Sequence, residues 1–163
     1  MLSVMLCVSA ILCQEQTMFD LVKNNRMAAL STEYKEAPFG SLSPYVLDKN
    51  GNPVIFISIL AIHTKNLNKN PACSLTIWKL DEDDLFNSQR ITLLGKMVQV
   101  EDEERKELQE LFLKKHPESE GFIDFDDFAF YRLEIVKIYY IGGFGDIQWI
   151  ELNEYRKGFG DEG

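Results

Sequence analysis

The stretch 56–78, FISILAIHTKNLNKNPACSLTIW, decides the fold. It contains two apolar runs with β-branched residues, which are typical of strands, on either side of a short polar insert. Asn70-Pro71 ends the insert, because proline cannot continue a helix. The stretch therefore predicts a strand, a short helix within residues 61–70 and a second strand.

Similar apolar runs fill most of the chain. Asn50-Gly51 lies between two of them and indicates a hairpin, because both residues tolerate positive φ. Six antiparallel strands in one small domain close most simply into a barrel, which removes the exposed edges. We therefore predict an α+β protein, mainly β, with a six-stranded antiparallel barrel and flanking helices in one domain over residues 1–163. The predicted strands are MAALST at 27–32, GSLSPYVLD at 40–48, PVIFISIL at 53–60, ACSLTIW at 72–78, RITLLGKMVQV at 90–100 and FAFYRLEIVKIYYIGG at 128–143.

Three segments outside the strands have distinct patterns. Residues 1–14 are an apolar extension, and the apolar spacing of residues 15–25 predicts a first helix. Residues 101–117, EDEERKELQELFLKKHP, begin with acids and end with two lysines, a histidine and a proline. These charges suit the dipole of a helix and the proline ends it.

The net charge of −9 is concentrated, because residues 101–127 hold eleven acids and four bases. An acidic chain has little long-range attraction for nucleic acid, so we predict no nucleic-acid partner. The acidic runs DEDD at 81–84 and DFDD at 124–127 lack the spacing of a calcium loop. No metal site is therefore predicted.

The apolar N-terminus bears on location. It is too short for a membrane span, so no membrane partner is predicted, and no Lys or Arg precedes the apolar run. These features favour a segment that stays on the protein and a cytoplasmic location. The length of the run also suits a signal segment, so secretion stays open as an alternative.

The polar insert of the opening stretch is a candidate anion site. Ser58, His63, Thr64 and Lys65 lie near the start of the predicted helix, where backbone N–H groups are unpaired and the helix dipole is positive. The alternative is an ordinary helix whose polar side chains face water. Trp149, after the last predicted strand, either covers a flat ligand or closes one end of the barrel.

Residues 26–150 together resemble the pyridoxamine-5′-phosphate-oxidase-like, FMN-binding split-barrel superfamily. The resemblance is closest to the branch that includes the HugZ haem-utilisation proteins and the CREG glycoproteins. It depends on the order of AALST, PFGSLSPYVLD, ISILAIHTKNLNKNPACSL, RITLLGKMVQV, FLKKHPE and FAFYRLEIVKIYYIGGFGDIQWI. The resemblance implies a split barrel and a homodimer with the cofactor at the subunit interface.

By position, the resemblance implies a cofactor site; no catalytic residue is assigned. Basic residues of the oxidase family are replaced by Ser41, Val46, Ile62 and His63, which leaves a phosphate with Lys65, the helix start and neutral donors. If haem binds instead, His63 or His116 would ligate the iron. The implied cofactor-binding residues are Ser41, Ser43, Ser58, His63, Thr64, Lys65, Arg90 and Trp149.

Three functions follow as expectations. The first is an FMN-binding flavoprotein, which would be an oxidoreductase of unknown substrate. The second is a haem-binding, HugZ-like protein on the same barrel. The third is a non-enzymatic, CREG-like interaction module. A fold alone does not decide among them.

Overall fold

The computed structural model describes residues 18–160, in which seven strands and four helices occur. The predicted extension 1–14 and residues 15–17 of the predicted first helix lie outside this range. The helices are α1 (18–24), α2 (Ile62–Lys69), α3 (Asp102–Lys115) and α4 (Leu152–Lys157). The strands are β1 (Met27–Tyr34), β2 (Ala37–Leu47), β3 (Pro53–Ser58), β4 (Ala72–Lys79), β5 (Gln89–Gln99), β6 (Phe128–Gly143) and β7 (Asp146–Ile150). Short 3₁₀ helices occupy Leu85–Asn87 and Pro117–Gly121.

Six of the strands form the predicted closed ring. The sheet order is β3-β2-β1-β4-β5-β6-β7, and a further pairing of β3 with β6 closes the first six into a barrel. All the pairings are antiparallel. The split barrel predicted from the sequence is therefore confirmed, and β7 is an additional strand outside the ring.

β7 arises from the turn that follows β6. Gly143 pairs with Asp146, and Gly145 between them has φ of 80°, which favours glycine. The chain then continues as a strand along the second half of β6, from Ile138 to Gly143.

Alternation along β3 separates two cores, because successive side chains of a strand point to opposite faces. Ile55 and Ile57 enter the main cluster of buried residues, whereas Val54 and Phe56 belong to a second cluster. Leu108 and Phe112 of α3 complete that second cluster. α3 thus covers the outside of the barrel over β2, β3 and the start of β6.

An arginine of β6 holds the N-terminal end of α3. Arg132 Nε lies 2.9 Å from Asp48 Oδ2, and Arg132 also pairs with Glu104 at 2.7 Å. Asp48 also accepts hydrogen bonds from the backbone N–H groups of Asn50 and Asn52, which confirms the predicted hairpin turn. One side chain therefore joins β6 to the β2–β3 turn and to α3.

The turn between β1 and β2 generates a stability prediction. Tyr34 pairs with Ala37, and the two residues between them, Lys35 and Glu36, have φ of 50° and 64°. Such a turn favours Asn and Gly, because a Cβ in the left-handed region costs about 1–2 kcal/mol. We expect Glu36→Gly to raise the free energy of unfolding by about 0.5–1 kcal/mol after the added entropy of the unfolded chain.

Chemical denaturation measures this change. Glu36→Ala is the matched control, because it removes the charge and keeps the Cβ, and it should give no comparable gain. Equal stability of the Gly variant and the Ala control would contradict the interpretation.

Candidate functional site

A cavity of about 320 Å³ lies outside the barrel, between the C-terminal end of α3 and the start of α2. Its volume is at the lower end of the range for ligand pockets, about 300–1,000 Å³. Residues of β2, β3, α2, α3 and the segment 117–128 contribute to the walls. Both histidines of the chain are among the lining residues.

Phenylalanines form the apolar wall of the cavity. Phe56, Phe112, Phe122 and Phe128 all line it. The ring centroid of Phe56 lies 5.6 Å from that of Phe112 and 5.1 Å from that of Phe128. Such spacings are typical of packed aromatic pairs. The wall therefore suits a flat apolar ligand.

His63, in the first turn of α2, has an unsatisfied nitrogen. Its Nε2 atom is buried and has no hydrogen-bond partner among residues 18–160. Buried polar atoms of folded proteins nearly always have a partner, so the orphaned nitrogen is an unusual feature. Burial lowers the pKa of His63 below its ordinary value, which favours the neutral imidazole that a metal requires.

His116, just after α3, is buried and held in place. It is 2% exposed, and its Nε2 lies 2.9 Å from the carbonyl oxygen of Tyr45. A carbonyl only accepts hydrogen bonds, so Nε2 donates and carries a proton. The other ring nitrogen, Nδ1, lies 3.5 Å from a terminal nitrogen of Arg26. His116 is thus a structural link between α3 and β2 as well as a wall of the cavity.

The predicted polar residues near α2 bond mainly to one another and to the backbone. Ser58 Oγ donates to Asp127 at 2.9 Å and accepts from the N–H of Leu60. Thr64 Oγ donates to the carbonyl oxygen of Ser58 at 2.7 Å. Ser43 is buried, lines the cavity and donates to the carbonyl of Pro44 at 3.3 Å. These residues shape the α2 end of the cavity.

The structure brings together three of the eight predicted cofactor residues, Ser43, Ser58 and His63, as lining residues. Thr64 lies directly behind Ser58, and Ser41 is half-buried on β2 with an Oγ that has no partner among residues 18–160. The other predicted residues lie apart from the cavity lining.

Lys65, Arg90 and Trp149 are exposed. Arg90 is the second residue of β5, where it pairs with Ile141 of β6, and its guanidinium donates to the carbonyl of Ser88. Trp149 is 62% exposed on β7 and its ring packs against Tyr139, with centroids 4.8 Å apart. The tryptophan therefore neither closes the barrel nor reaches the cavity within one subunit.

Sequence reasoning named His116 as a possible iron ligand but missed its burial, and it missed the phenylalanine wall of the site. KKHP indicated a helix end, and from that pattern His116 was interpreted as a charge in the last turn. The signal that could have identified it is the apolar spacing of Leu108, Leu111 and Phe112 one turn earlier, which predicts that this end of the helix packs on the barrel.

Comparison with known proteins gives a consistent set of relatives. Residues 17–157 match the family described as "CREG, beta-barrel". The chain is 37% identical over 117 residues to the non-canonical heme oxygenase HOZ, chloroplastic, of Arabidopsis thaliana. That match covers 72% of this chain and 36% of the relative, so the chain spans about a third of that protein's length.

Solved structures agree on the fold. A heme binding protein from Mycobacterium smegmatis superposes with a TM-score of 0.81 and 25% identity, over 88% of this chain and 60% of that one. HutZ, a heme storage protein from Vibrio cholerae, superposes with a TM-score of 0.71 and 23% identity, over 80% of this chain and 96% of that one. In the part of the chain that the structure describes, no helix is long and apolar enough to cross a membrane.

The half-buried ring of His63 generates a prediction about acid stability. The pKa of His63 is lower in the folded protein than its ordinary value of 6.5, because burial disfavours the charged ring. The unfolded chain therefore binds the proton more readily, and stability is fully present above pH 6.5 and is lost as the pH falls through the folded pKa. We expect wild type to lose more stability than His63→Gln between pH 7 and pH 5.

Urea unfolding at a series of pH values gives the two curves. Other groups titrate in both proteins, so the difference between the curves isolates His63. Parallel curves would show that the ring is not desolvated in the folded state.

Proposed function

The chain belongs to the CREG β-barrel family, as the resemblance in its sequence predicted, and from this premise we propose that it is a haem-binding protein. The cavity between α2 and α3 receives one edge of the porphyrin, and His63 is the residue that would ligate the iron. The relatives named for heme support this class of ligand. The observation that carries the proposal lies in this chain itself, in the orphaned nitrogen of His63.

The residues of the cavity fit haem in three respects. A neutral imidazole is the common protein ligand of haem iron. His63 Nε2 is buried and has no partner among residues 18–160, and burial lowers the pKa of the His63 ring. The phenylalanine wall offers flat apolar surface to a macrocycle. The exposed residues Leu42, Ile59, Leu60 and Ile62 extend that apolar surface beyond the mouth of the cavity.

The protein and the cofactor have separate roles. Haem, when bound, supplies the iron centre and its redox chemistry. The residues of this chain bind one edge of the ring, orient it against the phenylalanines and keep water from that edge. His116 keeps α3 on β2 through its bond to Tyr45 and so maintains the shape of the cavity.

FMN is the second candidate, and its use by an oxidoreductase stays a prediction from the sequence. The position of Ser43, Ser58 and Thr64 beside the start of α2 favours it. Against it, Lys65 and Arg90 do not line the cavity, and Ser58 bonds to the carboxylate of Asp127. A phosphate at this end would face that negative charge, so we place haem first.

We also propose that the protein forms the predicted homodimer, with a second copy over the mouth of the cavity. The four exposed aliphatic residues named above support this, because apolar side chains clustered beside a pocket are typical of interaction surfaces. A second subunit would cover the part of the porphyrin that the cavity leaves outside. The cytoplasmic location stays a prediction from the sequence.

Titration with haemin tests the proposed ligand. We expect wild type to give a Soret band that saturates at one haem per chain. His63→Gly should bind haemin about tenfold more weakly or worse, because the variant lacks the imidazole that would ligate the iron. Added imidazole should restore the wild-type spectrum to this variant by filling the space of the lost ring.

Lys65→Gln is the matched control, since Lys65 is exposed on the same helix. It should leave haemin binding unchanged. If Lys65 instead holds the phosphate of FMN, the same variant weakens FMN binding and reverses the order of the two candidates. A protein that takes up neither cofactor would contradict both and favour a non-enzymatic interaction module.

Sedimentation velocity tests the homodimer. We expect Leu60→Glu to shift the protein from dimer to monomer, because a charge in an apolar interface loses its water without gaining a partner. Phe86→Glu is the control, since Phe86 is 77% exposed in a different segment. A dimer that survives Leu60→Glu, or a monomeric wild type, would contradict the proposed interface.

A further inference from the structure

Positive charge collects beside the cavity in a chain that is acidic overall. Lys115 Nζ donates to the carbonyl of Lys23 at 3.2 Å and lies 4.5 Å from the centre of the Tyr45 ring. Burial, together with the nearby charge of Arg26, lowers the pKa of Lys115 to about 8. Arg26 and Lys115 are thus two cationic side chains close together beside the cavity.

Arg26 is oriented by the backbone. Its Nε donates to the carbonyl oxygen of Lys115, the last residue of α3, at 3.1 Å. That bond fixes the plane of the guanidinium and uses none of the terminal nitrogens. Arg26 is thus held ready for a carboxylate or phosphate, whose geometry matches the guanidinium fork.

Glu118, which lies on the cavity side of Arg26, forms an ion pair with its guanidinium. Its two carboxylate oxygens accept hydrogen bonds from one terminal nitrogen of Arg26 at 2.7 and 2.8 Å. Glu118 lines the cavity, yet its side chain is 62% exposed. A hydrogen bond from its own backbone N–H, joined by the bonds from Arg26, lowers the pKa of Glu118 and keeps it ionised. An exposed side chain on a short 3₁₀ helix can leave the guanidinium without disturbing packed residues.

We propose that Arg26 is a binding residue for an anionic group of the ligand, and that Glu118 occupies its guanidinium until the ligand displaces it. The ligand class is a planar aromatic carboxylate, to which haem belongs, and in this respect the inference rests on the proposed function. The aromatic part of the ligand contacts the phenylalanine wall, and its carboxylate replaces that of Glu118. His116, whose Nδ1 lies 3.5 Å from the Arg26 guanidinium and 3.7 Å from Glu118, adjoins the same position.

An ordinary surface ion pair is the alternative explanation. Exposed pairs of this kind contribute little to stability, and this one would merely connect the start of β1 with the segment after α3. The two explanations differ in what removal of Glu118 does. If Glu118 competes with a ligand, its loss strengthens anion binding, whereas a purely structural pair gives no gain.

The test follows binding of 2-naphthoate, and of the uncharged 2-naphthamide, to the full chain by NMR. The signals of Arg26 Nε–H and of the His116 ring report on the site directly. We expect Glu118→Gln to bind naphthoate about three to ten times more tightly than wild type, with no change for the amide. Arg26→Gln should bind naphthoate about tenfold more weakly and lose the preference for the carboxylate. The gain in Glu118→Gln cannot arise from misfolding.

Glu104→Gln is the matched control, because Glu104 also forms an ion pair with an arginine, Arg132, and does not line the cavity. It should behave as wild type. Equal naphthoate affinity in all the variants, or no binding up to millimolar concentration, would overturn the assignment of Arg26. If the variants bind naphthoate as expected but haemin titration gives no Soret band, the haem proposal is overturned and the assignment of Arg26 as an anion site stands.

Discussion

The closure of the barrel depends on a single strand, β6. Its first residues pair with β3, its middle with β5 and its last residues with β7. Without the β3–β6 pairing the sheet would keep two open edges, and unpaired backbone N–H and C=O groups at such edges favour association. Gly95 of β5 permits the close approach to β6, because a Cβ there would meet the carbonyl oxygen of Glu134. The register shifts at this point, as expected of a bulge that bends a paired strand.

The cavity is a consequence of how α3 lies on the closed barrel. One end of the helix is anchored by the pair between Glu104 and Arg132, and the other end by the bond from His116 to Tyr45. Between these anchors Leu108 and Phe112 pack on β2 and β3. Beyond the second anchor the chain turns away at Pro117, so the space between this turn and the start of α2 stays open. The site therefore lies outside the barrel, and the barrel interior is filled with side chains.

The strands could be predicted from the sequence because each is defined by local features: β-branched runs, the Asn-Gly turn and the charges of α3. β7 was missed because its five residues follow the glycines at which the last predicted strand ends. Ser43, Ser58 and His63 were predicted to belong to one site because the chain resembles a known family. The fold of that family already specifies which distant positions lie close together. Arg26 and Glu118 lie 92 residues apart, and nothing in local spacing indicates that two such segments meet. The burial of His116 depends in the same way on contacts between distant segments.

The position of β6 after the other five strands of the ring also affects how the protein is made. During synthesis β1 to β5 leave the ribosome well before residues 128–143, and domains generally fold as units once their last essential segment is available. Until then β3 and β5 have no partner on the side that β6 will occupy, and the apolar face beneath α3 lacks part of its cover. A nascent chain in this state exposes strand edges that chaperones recognise, or that pair with neighbouring chains on the same messenger RNA. The same strand that completes the native barrel therefore sets the period during which the unfinished chain needs protection.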